Sequence, residues 1–406
     1  MSDSSRSERI ACPDCGLTQW LPAIATGEVA QCVQCAKVLT RRIRGGVDLP
    51  LALALTSLLL LIPANLAHLM SVSERGAQRE NWLSTGVQML WNGGFTFLAM
   101  LVGAFTIVIP FVYLALLVTV LGSIRFGDSP PLGKLFRWTE YLRPWMMVEV
   151  YLVGCCVAYS RLQKIAFVSI GLGGWCLMAA AFALFLFAAT LDERRIWDAL
   201  SPAQRANARE AAISCFACEY VVPAAHEGDP CPRCGAKLHF RKPHALHRTV
   251  ALVITGFLLL IPANLLPILT IEQLGSVDPN TILGGIRELI RAGLWPLAVI
   301  VFAASIIVPL MKLFGLTWML LLTHQRSNRY LVGRTRLYRV IDLIGRWSNI
   351  DVFMLSILVA LVQFGVLSQV RAGLGAIAFA SAVVVTMVAS RVFDSRLMWD
   401  AARGAA

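Results

Sequence analysis

The octapeptide Leu-Leu-Leu-Ile-Pro-Ala-Asn-Leu occurs twice in this chain, at Leu59–Leu66 and at Leu258–Leu265. Each copy lies in a long apolar stretch that follows a cluster of four cysteines. Two identical eight-residue words, 199 positions apart in 406 residues, do not arise by chance. Self-similarity at a fixed spacing indicates a duplicated structural unit. The sequence therefore predicts one module, a cysteine cluster followed by apolar helices, that is present twice.

The composition predicts a membrane protein. Hydrophobic residues make up 57% of the chain and charged residues only 15%, whereas soluble domains carry about 25% charged residues. A helix that crosses a bilayer needs roughly 20 apolar residues. We predict eight spans, and they are Leu49–Ser73, Phe95–Ile124, Trp145–Ser160, Ile165–Leu191, Thr249–Ile271, Gly293–Thr323, Ile350–Val370 and Ala372–Ser390.

The distribution of lysine and arginine predicts the orientation, because loops on the cytoplasmic side retain basic residues. With the N-terminus inside, the predicted cytoplasmic segments hold 28 of the 36 basic residues. No apolar core typical of a cleaved signal peptide follows Met1 directly, so we expect the first span to be an uncleaved anchor. Four spans return the chain to its starting side, and the two repeats are therefore expected to be parallel. The net charge of +12 then needs no nucleic-acid partner.

The cysteine clusters predict two structural zinc sites. Cys12, Cys15, Cys32 and Cys35 form two Cys-x-x-Cys pairs, and so do Cys215, Cys218, Cys231 and Cys234. Two close pairs separated by a hairpin-length insert are typical of a zinc ribbon. A rubredoxin-like iron site remains an alternative. Disulfides are disfavoured on the cytoplasmic side, and a thioredoxin-like dithiol would need a βαβ pattern that is absent.

These patterns together predict the fold. We expect an α-helical integral membrane protein with two parallel repeats of four transmembrane helices, each preceded by a small cytoplasmic four-cysteine zinc ribbon. The predicted domains are a first ribbon at 1–46, a first four-helix membrane domain at 47–195, a linker with the second ribbon at 196–246, and a second membrane domain at 247–406.

Charged residues at membrane depth are the candidate functional residues, because an unpaired charge in a bilayer is costly. Lys312 lies in the middle of a predicted span, with Tyr113 as its counterpart in the first repeat. Arg161 follows Glu149 by twelve residues, and Lys164 lies one turn further along the same face. Arg161 and Lys164 could instead extend to the outer headgroups. We therefore rank Lys312 first.

Further polar residues complete the predicted pocket. Asp351 is the counterpart of Glu149, and Gln363 is the counterpart of Arg161. Asn65 and Asn264 follow the helix prolines Pro63 and Pro262 by two residues. They could satisfy carbonyl groups that the prolines leave free, line a cavity, or belong to a purely structural kink.

These motifs resemble the paraquat-inducible protein A family of bacterial inner-membrane proteins. The resemblance is carried by the doubled Cys-x-x-Cys clusters, the Leu-Ile-Pro-Ala-Asn-Leu words, Val308–Leu313, Met147–Tyr151 and Ile350–Phe353. It covers nearly the whole chain. It implies a four-helix module with an intervening extracytoplasmic β-containing segment, used twice, and a basic residue at the position of Arg161. Gln363 departs from that pattern in the second repeat, which argues against a symmetric mechanism.

The resemblance also implies a function. The chain would be an inner-membrane component that passes phospholipid or a similar amphiphile to a periplasmic tunnel built by a membrane-anchored MCE-domain partner. The alternative is a membrane scaffold or stress-response adaptor that recruits partners through its zinc ribbons. An enzyme is not expected, because no nucleophile–base set or open metal site emerges. No Gly-x-x-x-x-Gly-Lys-Ser/Thr loop is present, so nucleotide binding through that motif is not expected either.

Overall fold

The structure is a computed structural model of the chain. It describes residues 8–22, 24–42, 46–74, 77–127, 132–163, 167–200, 212–273, 276–361 and 368–404. Eight helical segments within these ranges are long and apolar enough to cross a membrane. Four of them belong to each half of the chain, as the sequence predicts.

The first half begins with a ribbon of two hairpins and continues into a helical repeat. The hairpins pair β1 with β2 and β3 with β4. The elements are, in chain order, β1 (Glu8–Ala11), β2 (Thr18–Leu21), β3 (Val29–Gln31), β4 (Val38–Arg41), α1 (Asp48–Leu66), β5 (Met70–Glu74), β6 (Ala77–Asn81), α2 (Leu83–Asn92), α3 (Thr96–Gly103), α4 (Ile109–Phe126), α5 (Leu132–Leu142), α6 (Val148–Leu162), β7 (Phe167–Ile170), α7 (Leu172–Thr190) and α8 (Glu193–Leu200).

The second half repeats this order almost element by element. The elements are β8 (Ala212–Ser214), β9 (Val221–Pro223), α9 (Ala245–Leu265), β10 (Leu269–Gln273), β11 (Ser276–Asn280), α10 (Ile282–Arg291), α11 (Trp295–Phe302), α12 (Val308–His324), α13 (Leu331–Ile344), α14 (Ile350–Leu361), β12 (Ser368–Ala372), α15 (Leu374–Val392) and α16 (Arg396–Arg403).

The second span of each repeat is a composite helix with the same interruption. A π-helical turn at Ala104–Val108 joins α3 to α4, and another at Ala303–Ile307 joins α11 to α12. Pro110 and Pro309 follow these turns in the first turn of α4 and of α12. Proline is tolerated in a first turn because its missing N–H is not needed there. The widened turn therefore provides the break that each proline requires.

A three-stranded antiparallel sheet closes the end of each repeat that lies away from the ribbons. Its strand order is β6-β5-β7 in the first repeat and β11-β10-β12 in the second. This confirms the β-containing segment that the family resemblance implies. A Cβ at Gly173 or Gly375 would collide with the carbonyl groups that follow α1 or α9. Glycine is thus required where the sheet meets the next span.

Several predicted span boundaries are wrong for a common reason. The predicted first span continues to Ser73, but α1 ends at Leu66 and the chain then forms β5. The predicted seventh span continues to Val370, but α14 ends at Leu361 and β12 begins at Ser368. No Asp, Glu, Lys or Arg lies between the end of either helix and the predicted end of its span. The absence of charge alone therefore does not show where a helix ends and a strand begins.

The third and seventh predicted spans begin close to the first residues of α6 and α14, and each is preceded by a further helix that the sequence did not predict. The helical segments are Leu132–Leu162 and Leu331–Leu361, and each contains a short 3₁₀ turn, at Arg143–Trp145 and at Gly345–Asn349. Of the predicted cytoplasmic segments, 122–144 contains α5 and 324–349 contains α13. The arginine-rich sequences of these two helices lower their hydropathy, so a search for apolar segments does not detect them.

The two repeats pack together through α6 and α14. Every residue of α14 is buried, and Tyr151 of α6 meets Phe353 of α14 edge to face, with ring centroids 5.6 Å apart. A Cβ at Gly154 would lie 3.3 Å from the Phe353 Cβ, so glycine lets the helices approach closely. The bundle is consequently one structure with an interface between repeats at its centre.

Each ribbon docks on the repeat of the other half. Arg339 of α13 forms an ion pair with Asp14 of the first ribbon, 2.6 Å from nitrogen to oxygen. Arg233 of the second ribbon pairs with Asp198 of α8 at 2.7 Å. The first ribbon therefore lies against the second repeat, and the second ribbon lies against the first repeat. We call this arrangement crossed docking.

Candidate functional site: two metal centres and a buried polar axis

The eight cysteines that sequence spacing selected form two closed clusters. All are buried, and within each cluster the sulfur atoms lie within 4.8 Å of one another. The Cys12–Cys35 and Cys15–Cys32 sulfur distances are 3.5 and 3.6 Å, and the second cluster has the same two values. A tetrahedral ion with metal–sulfur bonds of about 2.3 Å requires sulfur–sulfur distances of about 3.8 Å. Each cluster can therefore hold one metal ion.

The hydrogen bond between Cys12 and Cys15 shifts the pKa values of these two thiols in opposite directions. The hydrogen bond with Cys15 lowers the pKa of the Cys12 thiol to about 5, and the same bond raises the pKa of Cys15. Arg339 adds a positive charge, because its guanidinium lies 3.3 Å from the Cys35 sulfur and donates to the Cys35 carbonyl at 3.1 Å. A guanidinium that hydrogen-bonds to a cysteine of the cluster is an outer-shell partner, and such partners orient the ligands of a bound metal ion.

One arginine of α16 connects the two ribbons. Arg396 donates to the Pro13 carbonyl of the first ribbon and to the Ser214 hydroxyl of the second, both at 3.0 Å. Its guanidinium also lies over the Phe216 ring, 4.6 Å from the centroid. Burial lowers the pKa of Arg396. The sequence shows Arg396 only as part of a repeated Asp-x-Arg exit motif, and no pattern predicts its bridging role.

Lys312 is fully buried and lies at the ribbon-facing part of the second repeat. Its ammonium group donates to the Gly345 carbonyl at 2.8 Å, and the Thr386 hydroxyl lies 3.5 Å away. Both partners are neutral oxygens, and no ion pair with Lys312 is present among the residues that the structure describes. The sequence prediction of a buried cation is thus matched by the structure, but Thr386 carried no signal, because threonine is ordinary in membrane helices.

Asp351 forms the centre of a second polar set. It is buried and accepts a hydrogen bond from Ser305 of the π-helical turn. Its other oxygen has no hydrogen-bond partner among the described residues. Arg161 lies within electrostatic range of Asp351 and of Glu288, and its guanidinium approaches Gly285 of α10. This set therefore joins a base of the first repeat to acids of the second.

The remaining predicted pocket residues lie elsewhere. Asn65 and Asn264 each donate to the carbonyl four residues earlier, Leu61 at 2.8 Å and Leu260 at 2.9 Å. Those are not the carbonyls that Pro63 and Pro262 leave free, which belong to residues 59 and 258. Glu149 is half-buried. Lys164 and Gln363 fall outside the described residues.

The helical bundle also contains two cavities of similar volume. An apolar one of about 280 Å³ lies near the sheet of the first repeat, where Leu69, Leu152, Cys155, Tyr159 and Leu177 contribute to its wall. A polar cleft of about 270 Å³ lies on the ribbon side, between α5, α13 and α15. None of the predicted pocket residues that the structure describes lines either of these two cavities, of which one is apolar and the other polar.

Comparisons with known proteins agree with this architecture. The family profile described as "Paraquat-inducible protein A" matches residues 47–201 and 246–403. The chain is 32% identical to "Intermembrane transport protein PqiA" of Escherichia coli (strain K12), over 97% of the chain and 96% of the relative. It is 31% identical to "Lipophilic envelope-spanning tunnel protein A" of the same strain, over 98% and 92%.

A third relative, "Probable intermembrane transport protein" of Haemophilus influenzae, is 29% identical over 96% of the chain and 95% of its own length. No solved structure matches the chain significantly. Because the profile covers both repeats and the relatives align from end to end, the chain belongs to the paraquat-inducible protein A family.

Proposed function

We propose that this protein is the inner-membrane component of an envelope lipid-transport system. It takes phospholipid or a related amphiphile from the membrane and passes it to a tunnel formed by a membrane-anchored MCE-domain partner. The relatives' names, which state intermembrane transport and an envelope-spanning tunnel, support this role. Both termini and both ribbons lie in the cytoplasm, as the 28 basic residues on that side favour.

The observation that carries the proposal is the solitary ammonium group of Lys312. A buried charge without an ion-pair partner is costly, and such residues in membrane proteins mark substrate or ion pathways. A simple membrane anchor gains nothing from this cost. A transporter gains an attractive group for the anionic part of an amphiphile, in a bundle whose other cavity is apolar.

In this proposal the set around Lys312 and the set around Asp351 have different roles. Lys312 attracts the anionic headgroup on the ribbon side. The Asp351–Ser305 pair with Arg161 couples the two repeats, because its members come from both halves. Protonation of Asp351 would remove its electrostatic attraction for Arg161 and weaken the contact between the two repeats. A proton gradient could act on the transporter through this residue.

The ribbons act as structural clamps in this proposal, with zinc as the ion. Four thiolates favour zinc, and a closed four-cysteine site supplies folding energy rather than chemistry. The domain boundaries at 1–46, 47–195, 196–246 and 247–406 then separate two clamps from two membrane modules. Because each ribbon's docking face is covered by the opposite repeat, the ribbons hold the modules together.

The test replaces Lys312 by methionine, which is unbranched, shorter by one atom, and uncharged. Transfer of a photoactivatable phospholipid to the co-expressed MCE partner should fall by about ten-fold or more, since each lost charge-assisted contact is worth at least that factor. Lys237→Ala, at an exposed ribbon position, is the matched control and should transfer lipid normally.

The same assay separates a transporter from a scaffold. If the protein recruits partners through its ribbons and its membrane half is passive, Cys234→Ser abolishes function and Lys312→Met does not. Normal lipid transfer by Lys312→Met, at wild-type protein levels, would reject a transport role for Lys312.

A further inference from the structure

The ribbon-side cleft brings together charged side chains from both repeats, and none of them belongs to the pocket predicted from sequence. It is lined by Glu140 and Arg143 from the first repeat, by Asp342, Gly345 and Arg346 from the second, and by the ribbon-side end of α15 with Arg391. We propose that this cleft binds the phosphate ester of a membrane amphiphile, with Arg346 and Arg391 as its anion-binding residues. The inference rests on the proposed function and names the part of the substrate that the protein recognises.

The arginines of the cleft differ in how far their charge is neutralised. Arg143 forms an ion pair with Glu193. Arg391 lies 3.9 Å from the Asp342 carboxylate, at the limit of an ion pair, with both side chains partly exposed. Arg346 has no ion-pair partner within the described ranges of the chain. Arg346 and Arg391 are thus the two guanidinium groups available to an anion, and a guanidinium matches phosphate oxygens in a bidentate geometry.

Lys312 adds a third positive charge directly behind the wall of the cleft. Gly345 lines the cleft, and its carbonyl accepts the Lys312 ammonium hydrogen bond. A Cβ at Gly345 would lie 3.5 Å from the Lys312 nitrogen, so only backbone separates that nitrogen from the cleft. The positive field of Lys312 is weakly screened, because the residue is fully buried. Asp342, which also lines the cleft, lies within electrostatic range of Lys312 but forms no ion pair with it. An anion in the cleft would add to this compensation of the buried charge.

The edge of the cleft favours an amphiphile over a free anion. Leu343 lines the cleft and is 63% exposed, and Trp347, on the adjacent 3₁₀ turn, is 39% exposed. Met387 contributes another apolar side chain to the lining. Small-molecule sites have volumes of roughly 300–1,000 Å³, so a cleft of about 270 Å³ suits a headgroup with its chains left outside. The acyl chains would then lie along the exposed apolar surface.

The first repeat does not supply an equivalent pair of cations. The residues aligned with Arg346 and Arg391 are Pro144 and Ala189. The residue aligned with Gly345 is Arg143, which is already paired with Glu193. The cleft is therefore one site at the interface between repeats, with its free arginines from the second repeat only.

The test measures binding to the purified full chain in neutral detergent. The probes are dihexanoyl phosphatidylglycerol, which is soluble and carries a phosphodiester, and inorganic phosphate. The double variant Arg346→Gln/Arg391→Gln should bind the short lipid about ten-fold or more weaker than the wild type. Arg336→Gln, an exposed position on α13, is the matched control and should bind like the wild type. The wild type should bind inorganic phosphate far more weakly than the lipid.

Unchanged lipid affinity in the double variant would overturn the site. Equal affinity of the wild type for inorganic phosphate would overturn its assignment to an amphiphile. Should the double variant fail to fold, the wild type alone gives the answer: bound short lipid should protect Arg346 from an arginine-selective reagent, and lack of protection would overturn the site.

A measurement of lipid transfer in cells distinguishes failure of the cleft proposal from failure of the proposed function. Normal transfer by the double variant, together with defective transfer by Lys312→Met, would remove the cleft from the transport path and leave the transport function intact. If the wild type itself transferred no lipid, the proposed function would fail whatever the cleft binds.

Discussion

The two repeats share one architecture but differ in what they bury at equivalent positions. Lys312 and Thr386 of the second repeat align with Tyr113 and Leu184 of the first, and all four are buried. The second repeat thus buries an ammonium and a hydroxyl group where the first buries an aromatic and an aliphatic side chain. A duplicated fold can keep its helices, sheets and π-helical turns while only one copy carries a buried ammonium group at this position. The shared shape is structural, and the difference indicates where function was added.

The acidic positions differ in the same direction. Asp351 is buried and accepts a hydrogen bond from Ser305. Its counterpart Glu149 is half-buried, and among the described residues it accepts no side-chain hydrogen bond from Thr106, which aligns with Ser305. The Thr106 hydroxyl bonds the Val102 carbonyl of its own helix instead. The acid of the second repeat is therefore buried and hydrogen-bonded to its neighbour, whereas the acid of the first repeat is half-buried.

The largest expected effect tests whether the two ribbons are equivalent although they dock on different repeats. The wild type should carry two metal ions per chain by native mass spectrometry, and Cys35→Ser and Cys234→Ser should each lose one. Metal binding to structural zinc sites contributes on the order of 10 kcal/mol to folding, so the affected ribbon should unfold.

Hydrogen exchange then checks the crossed docking. Loss of the first ribbon should expose α13 and α16 of the second repeat, and loss of the second ribbon should expose α5 and α8 of the first. Cys176→Ser, outside both clusters, is the control and should keep both ions. Exposure of the repeat that follows each ribbon in sequence would contradict the crossed arrangement.

A smaller effect, on the free energy of unfolding, is expected when Asp351 and Glu149 are replaced. Asp351→Ala removes a buried hydrogen bond to a charged group and leaves Arg161 with less compensation, so the free energy of unfolding should fall by about 2 kcal/mol. Glu149→Ala should cost clearly less, because this side chain is partly solvated. Thermal unfolding in one detergent measures both variants. Equal destabilisation would show that the repeats are electrostatically alike and would remove the contrast between them.

The smallest effect concerns the docking of the first ribbon alone. Arg339→Ala removes the contacts with Asp14 and Cys35, each a hydrogen bond that involves a charged or thiolate group, and should weaken docking by about 1–3 kcal/mol. Amide exchange in β1–β4 should accelerate while the second ribbon is unaffected. Arg336→Ala on the same helix should change neither. Exchange that accelerates in both ribbons would indicate that Arg396 transmits the change between them.

Sequence reasoning succeeded where chemistry acts over short chain distances. Four cysteines in two pairs can place their sulfur atoms on one ion only in a compact ribbon, and the structure brings all eight predicted cysteines into two such clusters. The eight spans follow from length and hydropathy for the same reason, since each helix satisfies its own backbone. Lys312 was identifiable because a charge inside an apolar stretch is expensive wherever its partner lies.

What the sequence determined by itself is therefore the duplication, the spans, the two metal-binding clusters and the one unavoidable buried ammonium group. Only the tertiary structure decided the partners: Gly345 and Thr386 for Lys312, the opposite repeat for each ribbon, and the interface where Arg346 and Arg391 meet the first repeat. These contacts join residues far apart in the chain. They depend on how helices pack, and local composition and spacing contain no record of which distant surfaces face each other.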